Sequence, residues 1–254
     1  MHRCGRCASV FRLPLWIANE AAGLAVQGSI ARAGEIAHGD RQAALRQAAR
    51  RIHTTVRGAA GSPPRLLDIG CADGSFFDAL RAEGGAGWEL HGIEPDAAWM
   101  GHEYGGARVI HVPLNGADYA PEAFAAITAN DVLYLLPNLV ESVRQIRGWL
   151  RPGAVFLFDV PGIAYLRLRA AVGGVGGWRR TRLFQAYPYY PTMRGVDHLL
   201  RGAGFTRWEV YPEVGIRHPK TALRLVLNSY TALAHLPRMV RLAPKVVILA
   251  YVGG

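Results

Sequence analysis

Two glycines and two carboxylates lie at a spacing that could bind the sugar and the polar end of a ligand. Gly70 and Gly74 closely follow Asp68, and Glu94 lies 20 residues beyond Gly74. A glycine turn before a helix leaves backbone N–H groups free to bind an anionic or dipolar group, since no Cβ blocks the approach. A carboxylate at the tip of the next strand can accept hydrogen bonds from ribose hydroxyls. These residues therefore predict a site for a nucleoside cofactor.

The residues on either side of the glycines predict the elements that position this turn. Leu66, Leu67 and Ile69 form a short apolar run, as expected of a strand buried on both faces of a parallel sheet. A helix is expected to begin at Ser75. A dinucleotide-binding turn has the pattern G-x-G-x-x-G, and this chain has Ala72 and Ser75 in place of the second and third glycines. The turn therefore does not favour a dinucleotide.

Four short motifs follow one another between residues 65 and 159. The first is the turn Asp68–Gly74, which fits the pattern D/E-h-G-x-G-x-G with alanine at the middle glycine. The others are Phe124–Ile127, Asn130–Leu133 and Leu150–Val155, the last of which is similar to an L-x-P-G-G loop before a fifth strand. In this order the motifs resemble those of class I S-adenosylmethionine-dependent methyltransferases, especially the group that acts on small molecules.

This resemblance implies an α/β fold, with a Rossmann-like seven-stranded, mostly parallel sheet, helices on both faces and an antiparallel last strand. We expect that strand at Lys245–Val252, between the fifth and sixth strands, and we predict helices over Asp96–Tyr104 and Thr221–Leu236. The methyltransferase domain would span residues 65–254, with residues 163–191 as an insertion that shapes the acceptor pocket. The insertion suits a planar or anionic acceptor, an ordinary surface lid being the alternative. Its aromatic and arginine residues include Trp178, Arg179, Arg180, Phe184, Tyr187, Tyr189 and Tyr190.

The same resemblance implies S-adenosylmethionine as the cofactor and assigns residues to it. Asp68 would hold the turn or the amino group of the cofactor, and Glu94 would accept from the ribose hydroxyls. Asn115 would contact the adenine, with Asp118 as the alternative, and Cys71 is also consistent with a small core residue. The predicted cofactor-binding residues are Asp68, Gly70, Cys71, Ala72, Gly74, Glu94, Pro95, Asn115, Asn130 and Asp131.

One departure from the family affects the catalytic residues. Many relatives have D-V-L-E-H-L where this chain has Asp131–Leu136, so that Tyr134 and Leu135 replace a glutamate and a histidine. A general base is optional, because a phenol or acid reacts as its anion, whereas an amine or alcohol must lose a proton. The catalytic candidates, for each of which a structural role is the alternative, are Tyr134 and His198, followed by Tyr189 and His218.

The chain before residue 65 divides into two parts. Residues 1–14 carry Cys4 and Cys7 at C-x-x-C spacing and resemble the second half of a zinc ribbon that precedes some of these methyltransferases. Tetrahedral zinc needs four ligands and only His2 could be a third, so we predict a remnant of the ribbon that holds no metal. Residues 15–64 predict one or two amphipathic helices and a linker, which cover the cofactor site or only pack on the core.

Composition restricts the cellular setting and the partners. The formal net charge of +10 comes almost entirely from arginines, which are scattered along the 254 residues. Three cysteines do not form a disulfide framework, and the apolar run Val246–Val252 is far shorter than the roughly 20 residues of a membrane span. We expect a cytoplasmic monomer or homodimer that acts on a small-molecule acceptor rather than on nucleic acid.

Two alternatives to a small-molecule methyltransferase remain. An RNA-directed methyltransferase is favoured by the charge and by the C-x-x-C segment, but the chain has neither an N-P-P-Y tetrad nor an appended RNA-binding module. A non-catalytic module that keeps the fold is favoured by Ala72 and by the missing glutamate and histidine. The motifs best fit direct in-line transfer of a sulfonium methyl group to a nucleophile on the acceptor.

Overall fold

A computed structural model describes residues 2–11, 41–56, 63–136, 138–172, 187–214, 229, 232–236 and 239–254. The helices in these ranges are α1 (Arg41–Thr55), α2 (Ser75–Ala82), α3 (Leu139–Trp149), α4 (Ile163–Val172) and α5 (Met193–Ala203). The strands are β1 (His2–Arg3), β2 (Val10–Phe11), β3 (Arg65–Ile69), β4 (Glu89–Ile93), β5 (Arg108–Ile110), β6 (Phe124–Ala129), β7 (Leu150–Pro161), β8 (Tyr189–Tyr190), β9 (Arg207–Pro212) and β10 (Lys245–Tyr251).

Seven of these strands form one sheet in the order β5-β4-β3-β6-β7-β10-β9. The pairs among β5, β4, β3, β6 and β7 are parallel, whereas β10 is antiparallel to both β7 and β9. This confirms the predicted mostly parallel seven-stranded sheet and its antiparallel last strand. The chain order reverses between β3 and β6, and ligands of open α/β sheets bind at the carboxyl ends of the strands beside such a reversal.

Helices cover both faces of the sheet, because its strands are apolar on both sides. On one face, side chains of β6 and β7 pack against Val143 and Ile146 of α3 and against Leu200 of α5. On the other face, α1 and α2 pack together over β3. The apolar face of α1 is buried there and consists of Leu45, Ala48, Ala49 and Ile52.

One predicted helix is wrong, and several predictions lie outside the described residues. Asp96–Tyr104 was expected to be helical, but the structure contains only a single 3₁₀ turn at Ala97–Trp99. Met100 leaves the helical region with a ψ of 129°, and Gly101 follows at a φ of 83°, so the chain makes a turn here instead of continuing the helix. The description does not include residues 12–40, residues 173–186 with Trp178, Arg179, Arg180 and Phe184, or most of the helix predicted over Thr221–Leu236.

A second, three-stranded sheet joins the segment at residues 2–11 to the end of the 163–191 insertion. The strands β1, β2 and β8 pair antiparallel, with Val10 opposite Tyr190. Next to this pairing, the hydroxyl of Thr192 donates to the carbonyl of Cys7 at 2.6 Å and accepts from the N–H of Gly195 at 3.1 Å. The C-x-x-C segment is therefore a hairpin that docks on the first turn of α5.

Thr192→Ala is expected to lower the free energy of unfolding by about 1–2 kcal/mol, because the variant loses both an N-cap and the hydrogen bond to the hairpin. Urea denaturation at pH 7 measures this difference. Thr192→Ser keeps the hydroxyl and is the matched control, for which we expect near wild-type stability. Equal losses in the two variants would contradict the capping role.

No helix in the described ranges is long and apolar enough to cross a membrane.

Candidate active site at the strand ends

The turn after β3 has the backbone conformation that its glycines predicted. Gly70 and Gly74 have φ values of 72° and 75°, in the left-handed region that favours glycine. A Cβ on Gly70 would also clash with the side chain of Val132, which follows β6. Ala72 adopts a positive φ of 47° without being glycine. The turn therefore lies directly against the loop after β6, where two neighbouring strands end.

Glu94 joins the tip of β4 to this turn. One oxygen of its carboxylate accepts from the N–H of Ala72 at 2.9 Å, and the other accepts from the N–H of Asp96 at 2.9 Å. The residue is 3% exposed, and burial raises the pKa of its carboxyl. Each oxygen has a further lone pair, so Glu94 can shape the turn and still accept a hydrogen bond from a ligand hydroxyl.

Asp68 lies beneath the turn as a buried carboxyl group. The hydroxyl of Thr128 on β6 donates to it at 2.7 Å, and burial raises the pKa of Asp68 to about 7. Asn130, at the end of β6, has an amide nitrogen that is buried without a hydrogen-bond partner among the described residues. The carboxyl group and this amide therefore form a polar base between β3 and β6.

The other predicted cofactor residues have different surroundings. Cys71 is buried, burial raises the pKa of its thiol, and its sulfur would lie 2.7 Å from a Cβ on Gly92. It fills the core beneath the turn. Pro95 is exposed at the exit of β4, and Asn115 is exposed in a 3₁₀ turn at Leu114–Gly116.

Asp131 belongs to a charged cluster rather than to the glycine turn. We call Asp131, Asp159, Glu213 and Lys245 the strand-end cluster. The ammonium of Lys245 lies 2.6 Å from Asp131 Oδ1, 2.8 Å from Glu213 Oε2 and 3.5 Å from Asp159 Oδ2. The backbone N–H of Asp131 also donates to Asp159 Oδ2 at 2.9 Å. The cluster thus joins the loop after β6 to β7, to the residue after β9 and to the start of β10.

The cluster holds an excess of carboxylates around one ammonium, and its pKa shifts follow from that. Burial alone would lower the pKa of Lys245, but the three carboxylates raise it well above its usual value. Burial, supported by the two other carboxylates, raises the pKa of Asp159 well above its usual range. Burial acts to raise the pKa of Asp131 too, but Lys245 outweighs it and lowers that pKa. Among the described residues, no group of three His, Cys, Asp or Glu side chains could hold a metal ion.

The structure separates the first two catalytic candidates, Tyr134 and His198, whereas His218 lies outside the described residues. Tyr134 is 2% exposed and its hydroxyl donates to Asp131 Oδ1 at 2.7 Å, while its ring lies 4.5 Å from that of Tyr187. Burial and the charge of Asp131 raise the pKa of Tyr134, so its phenol stays protonated at neutral pH and serves as a hydrogen-bond donor rather than as a base. His198 is exposed on α5 and takes no part in the hydrogen bonds and ion pairs of the strand ends.

Lys245, Asp159 and Glu213 are not among the site residues predicted from the sequence motifs. A signal was available, because Asp131 and Asp159 both come at the carboxyl ends of consecutive parallel strands. Lys245 is one of only two lysines in the chain and begins a strand that runs antiparallel, so it starts at the same edge. Arg41 at the start of α1 was also missed; its charge acts to lower the pKa of Asp68, Asp131 and Glu213.

Comparison with known proteins places the chain in a family. A family model described as a methyltransferase domain matches residues 38–210, which is more than half of the chain. None of the curated protein sequences matches it significantly.

Several solved structures share the fold. The 1,6-didemethyltoxoflavin-N1-methyltransferase of Burkholderia thailandensis, with bound 1,6-didemethyltoxoflavin and S-adenosylhomocysteine, has a TM-score of 0.57 at 18% identity, over 100% of this chain and 99% of that chain. A Thermotoga maritima S-adenosylmethionine-dependent methyltransferase, described as a possible histamine N-methyltransferase, has a TM-score of 0.56 at 13% identity. The match covers 89% of this chain and 96% of that chain. A chain of the complex between the Haloferax volcanii Trm112 methyltransferase activator and the putative methyltransferase matches with a TM-score of 0.61 at 11% identity. The match covers 93% of this chain and 100% of that chain.

Identities this low establish the fold alone, so the assignment depends on the family model. The sheet order and the glycine turn agree with it. The chain belongs to the methyltransferase-domain family.

Proposed function

We propose that this protein transfers a methyl group from S-adenosylmethionine to a small-molecule acceptor by direct in-line transfer. The proposal rests mainly on Glu94, a buried carboxylate at the tip of β4 that is hydrogen-bonded to the middle of the glycine turn. A ribose-binding carboxylate is needed at this place, 20 residues beyond the turn. The small-molecule acceptor is supported by the ligand of the Burkholderia thailandensis neighbour.

The residues at the turn fit this cofactor. Gly70 and Gly74 keep side chains away from the ligand-facing backbone, and the buried amide of Asn130 lies close enough to Asp68 to act on its pKa. Asp68 would hold the turn or accept from the amino group, and Glu94 would accept from the ribose hydroxyls. The further predicted contacts are Cys71, Ala72, Pro95, Asn115 and Asp131. When bound, S-adenosylmethionine supplies an electrophilic methyl carbon and a thioether leaving group.

The chain's own contribution is to orient the reactants and to exclude water. Tyr134 fixes the carboxylate of Asp131 at the acceptor side of the turn, and its contact with Tyr187 connects this place to the insertion. We therefore keep Tyr134 as the catalytic candidate in an orienting role. His198 stays a candidate only if the acceptor reaches α5.

The arginines give less support to an RNA-directed methyltransferase than to one that acts on a small molecule. An RNA surface needs unpaired cations grouped on one face. Many arginines of the described part instead pair with carboxylates, as in the ion pairs of Arg50 with Glu83 and of Arg144 with Glu141. Other arginine partners are Glu89, Asp78, Asp197 and Glu209.

Calorimetric titration with S-adenosylmethionine tests the proposal, with Glu94→Gln as the variant. We expect micromolar binding by the wild type and a loss of at least about tenfold in the variant, because a hydrogen bond to a charged group contributes about 1.5–3 kcal/mol. Glu103→Gln changes an exposed carboxylate nearby and should bind like the wild type. A folded wild-type protein that binds no S-adenosylmethionine would overturn the proposed function.

A further inference from the structure

The strand-end cluster lies on the acceptor side of the cofactor turn. Val132 packs into the space left by the missing side chain of Gly70, and Asp131 immediately precedes it in the chain. Asp159, Glu213 and Lys245 continue away from the turn towards β9. A group bound at the cluster would thus lie beside the cofactor and not in its place.

The charge of the cluster exceeds what folding requires. A single carboxylate would neutralise Lys245, and each further buried carboxylate costs desolvation energy that a lone ammonium does not fully repay. The side chains of Glu213 and Lys245 are only 13% and 18% exposed. Arg41 also acts on Asp131 and Glu213, so Lys245 and Arg41 together offset two of the three carboxylates. One negative charge remains, and it is suited to the cation of a ligand.

An unpartnered oxygen in the same cluster points to a ligand independently of the charge. Asp159 is 2% exposed, and its Oδ2 contacts Lys245 and the N–H of Asp131. Its Oδ1 is buried and has no hydrogen-bond partner within the part of the chain that is described. Such an atom is costly unless a donor reaches it. The side chain of Asp131 is 50% exposed, so the cluster opens to solvent on that side.

We propose that the strand-end cluster binds the amino group of the methyl acceptor, so that the substrate is an amine; this rests on the proposed function. The ammonium of the substrate offsets the remaining negative charge and donates to Asp159 Oδ1. The half-buried ring of Tyr187, which packs on that of Tyr134, offers an aromatic surface beside it, which suits an amine carried on a flat or apolar body.

The proton balance of the reaction follows from the same groups. The bound ammonium gives one proton to the carboxylate of Asp159, which becomes a carboxylic acid, and the amine becomes neutral. The nitrogen lone pair then forms the N–C bond to the methyl carbon as the C–S bond breaks, and the electron pair of that bond stays on sulfur. The product leaves as an N-methylammonium ion, and Asp159 returns its proton to water. Lys245 and the bound ammonium favour the ionised form of Asp159 until the transfer, and burial makes this carboxylate a stronger base, which suits it to accept the proton.

Three probes of one shape test the inference, namely phenethylamine, 2-phenylethanol and 3-phenylpropanoate. Ligand-observed NMR titration at pH 7 measures their binding to the full-length chain loaded with S-adenosylhomocysteine. We expect phenethylamine to bind at least about tenfold more tightly than the alcohol, and the carboxylate to bind most weakly. An amine that binds no more tightly than the alcohol overturns the inference.

Glu213→Gln keeps the size of the side chain and removes one charge of the cluster. It should weaken phenethylamine binding about fivefold or more and leave 2-phenylethanol binding unchanged. Glu141→Gln, an exposed carboxylate on α3, is the matched control and should change neither. Equal effects of the two substitutions would contradict the inference. If Glu213→Gln does not fold, Asp159→Asn provides the same comparison.

Titration of S-adenosylhomocysteine beforehand separates the two possible failures. If S-adenosylhomocysteine does not bind, the proposed function fails and the inference fails with it. If it binds and the amine shows no advantage, only the amine-binding role of the cluster is wrong.

Discussion

Lys245→Met is expected to lower the free energy of unfolding by about 3–5 kcal/mol at pH 7, because it leaves three carboxylates of the strand-end cluster without their cation. Methionine keeps the length and the apolar stem of the side chain, so the loss measures the charge rather than the packing. Lys245 contacts Asp131, Asp159 and Glu213 within 3.5 Å, and its side chain is 18% exposed.

The pH dependence of the variant distinguishes this loss from a packing defect. Without Lys245, burial and mutual repulsion raise the pKa of all three carboxylates above their unfolded values. The folded variant then binds more protons than the unfolded chain, so its stability falls as pH rises and recovers as pH is lowered towards 5. Urea denaturation between pH 5 and pH 8 measures this. Arg108→Met removes an exposed arginine and should change stability by less than about 1 kcal/mol at each pH. A loss in Lys245→Met that does not vary with pH would contradict the electrostatic explanation.

Gly70→Ala should destabilise the protein by about 2–5 kcal/mol, through two effects that can be measured separately. The positive φ of 72° costs about 1–2 kcal/mol for a residue with a Cβ. The new Cβ would also clash with Val132, and overpacking of this kind costs about 1–3 kcal/mol. Gly153→Ala is the matched control, because Gly153 has a φ of 73° and no atom within 4 Å of a Cβ. The loss of stability in Gly153→Ala should therefore equal the cost of the backbone conformation alone.

A double-mutant cycle with Val132→Ala tests the clash directly. Because the alanine at position 132 removes the atoms that meet the new Cβ, the double variant should recover the overpacking part of the loss. Chemical denaturation of the four proteins gives the interaction energy. Strictly additive losses would show that Gly70 is needed for its backbone conformation only.

Much of the fold could be predicted because its elements carry local patterns. The run Leu66–Ile69 before Gly70 predicts β3 and the turn, and the structure confirms both. The antiparallel last strand was placed by its β-branched residues and by the family pattern. These features depend on residues close together in sequence.

The rest depends on contacts between distant residues. Strands β1, β2 and β8 have two residues each, too few to show any periodicity, so their sheet left no signal. Glu213 and Lys245 look like ordinary charged residues at strand ends until the sheet order brings them to Asp131. Tyr134 was predicted as a possible base, and only its burial beside Asp131 shows that its phenol stays protonated.

The position of β10 affects the order in which the protein can assemble during synthesis. This strand lies between β7 and β9, although it follows both of them in the chain. Until it leaves the ribosome, the edges of β7 and β9 lack their partner, and Asp131, Asp159 and Glu213 lack their ammonium. The cofactor turn, in contrast, needs only residues up to Val132. A nascent chain would therefore gain the elements of the cofactor site first and those of the strand-end cluster last, so that a chain arrested before residue 245 has the former without the latter.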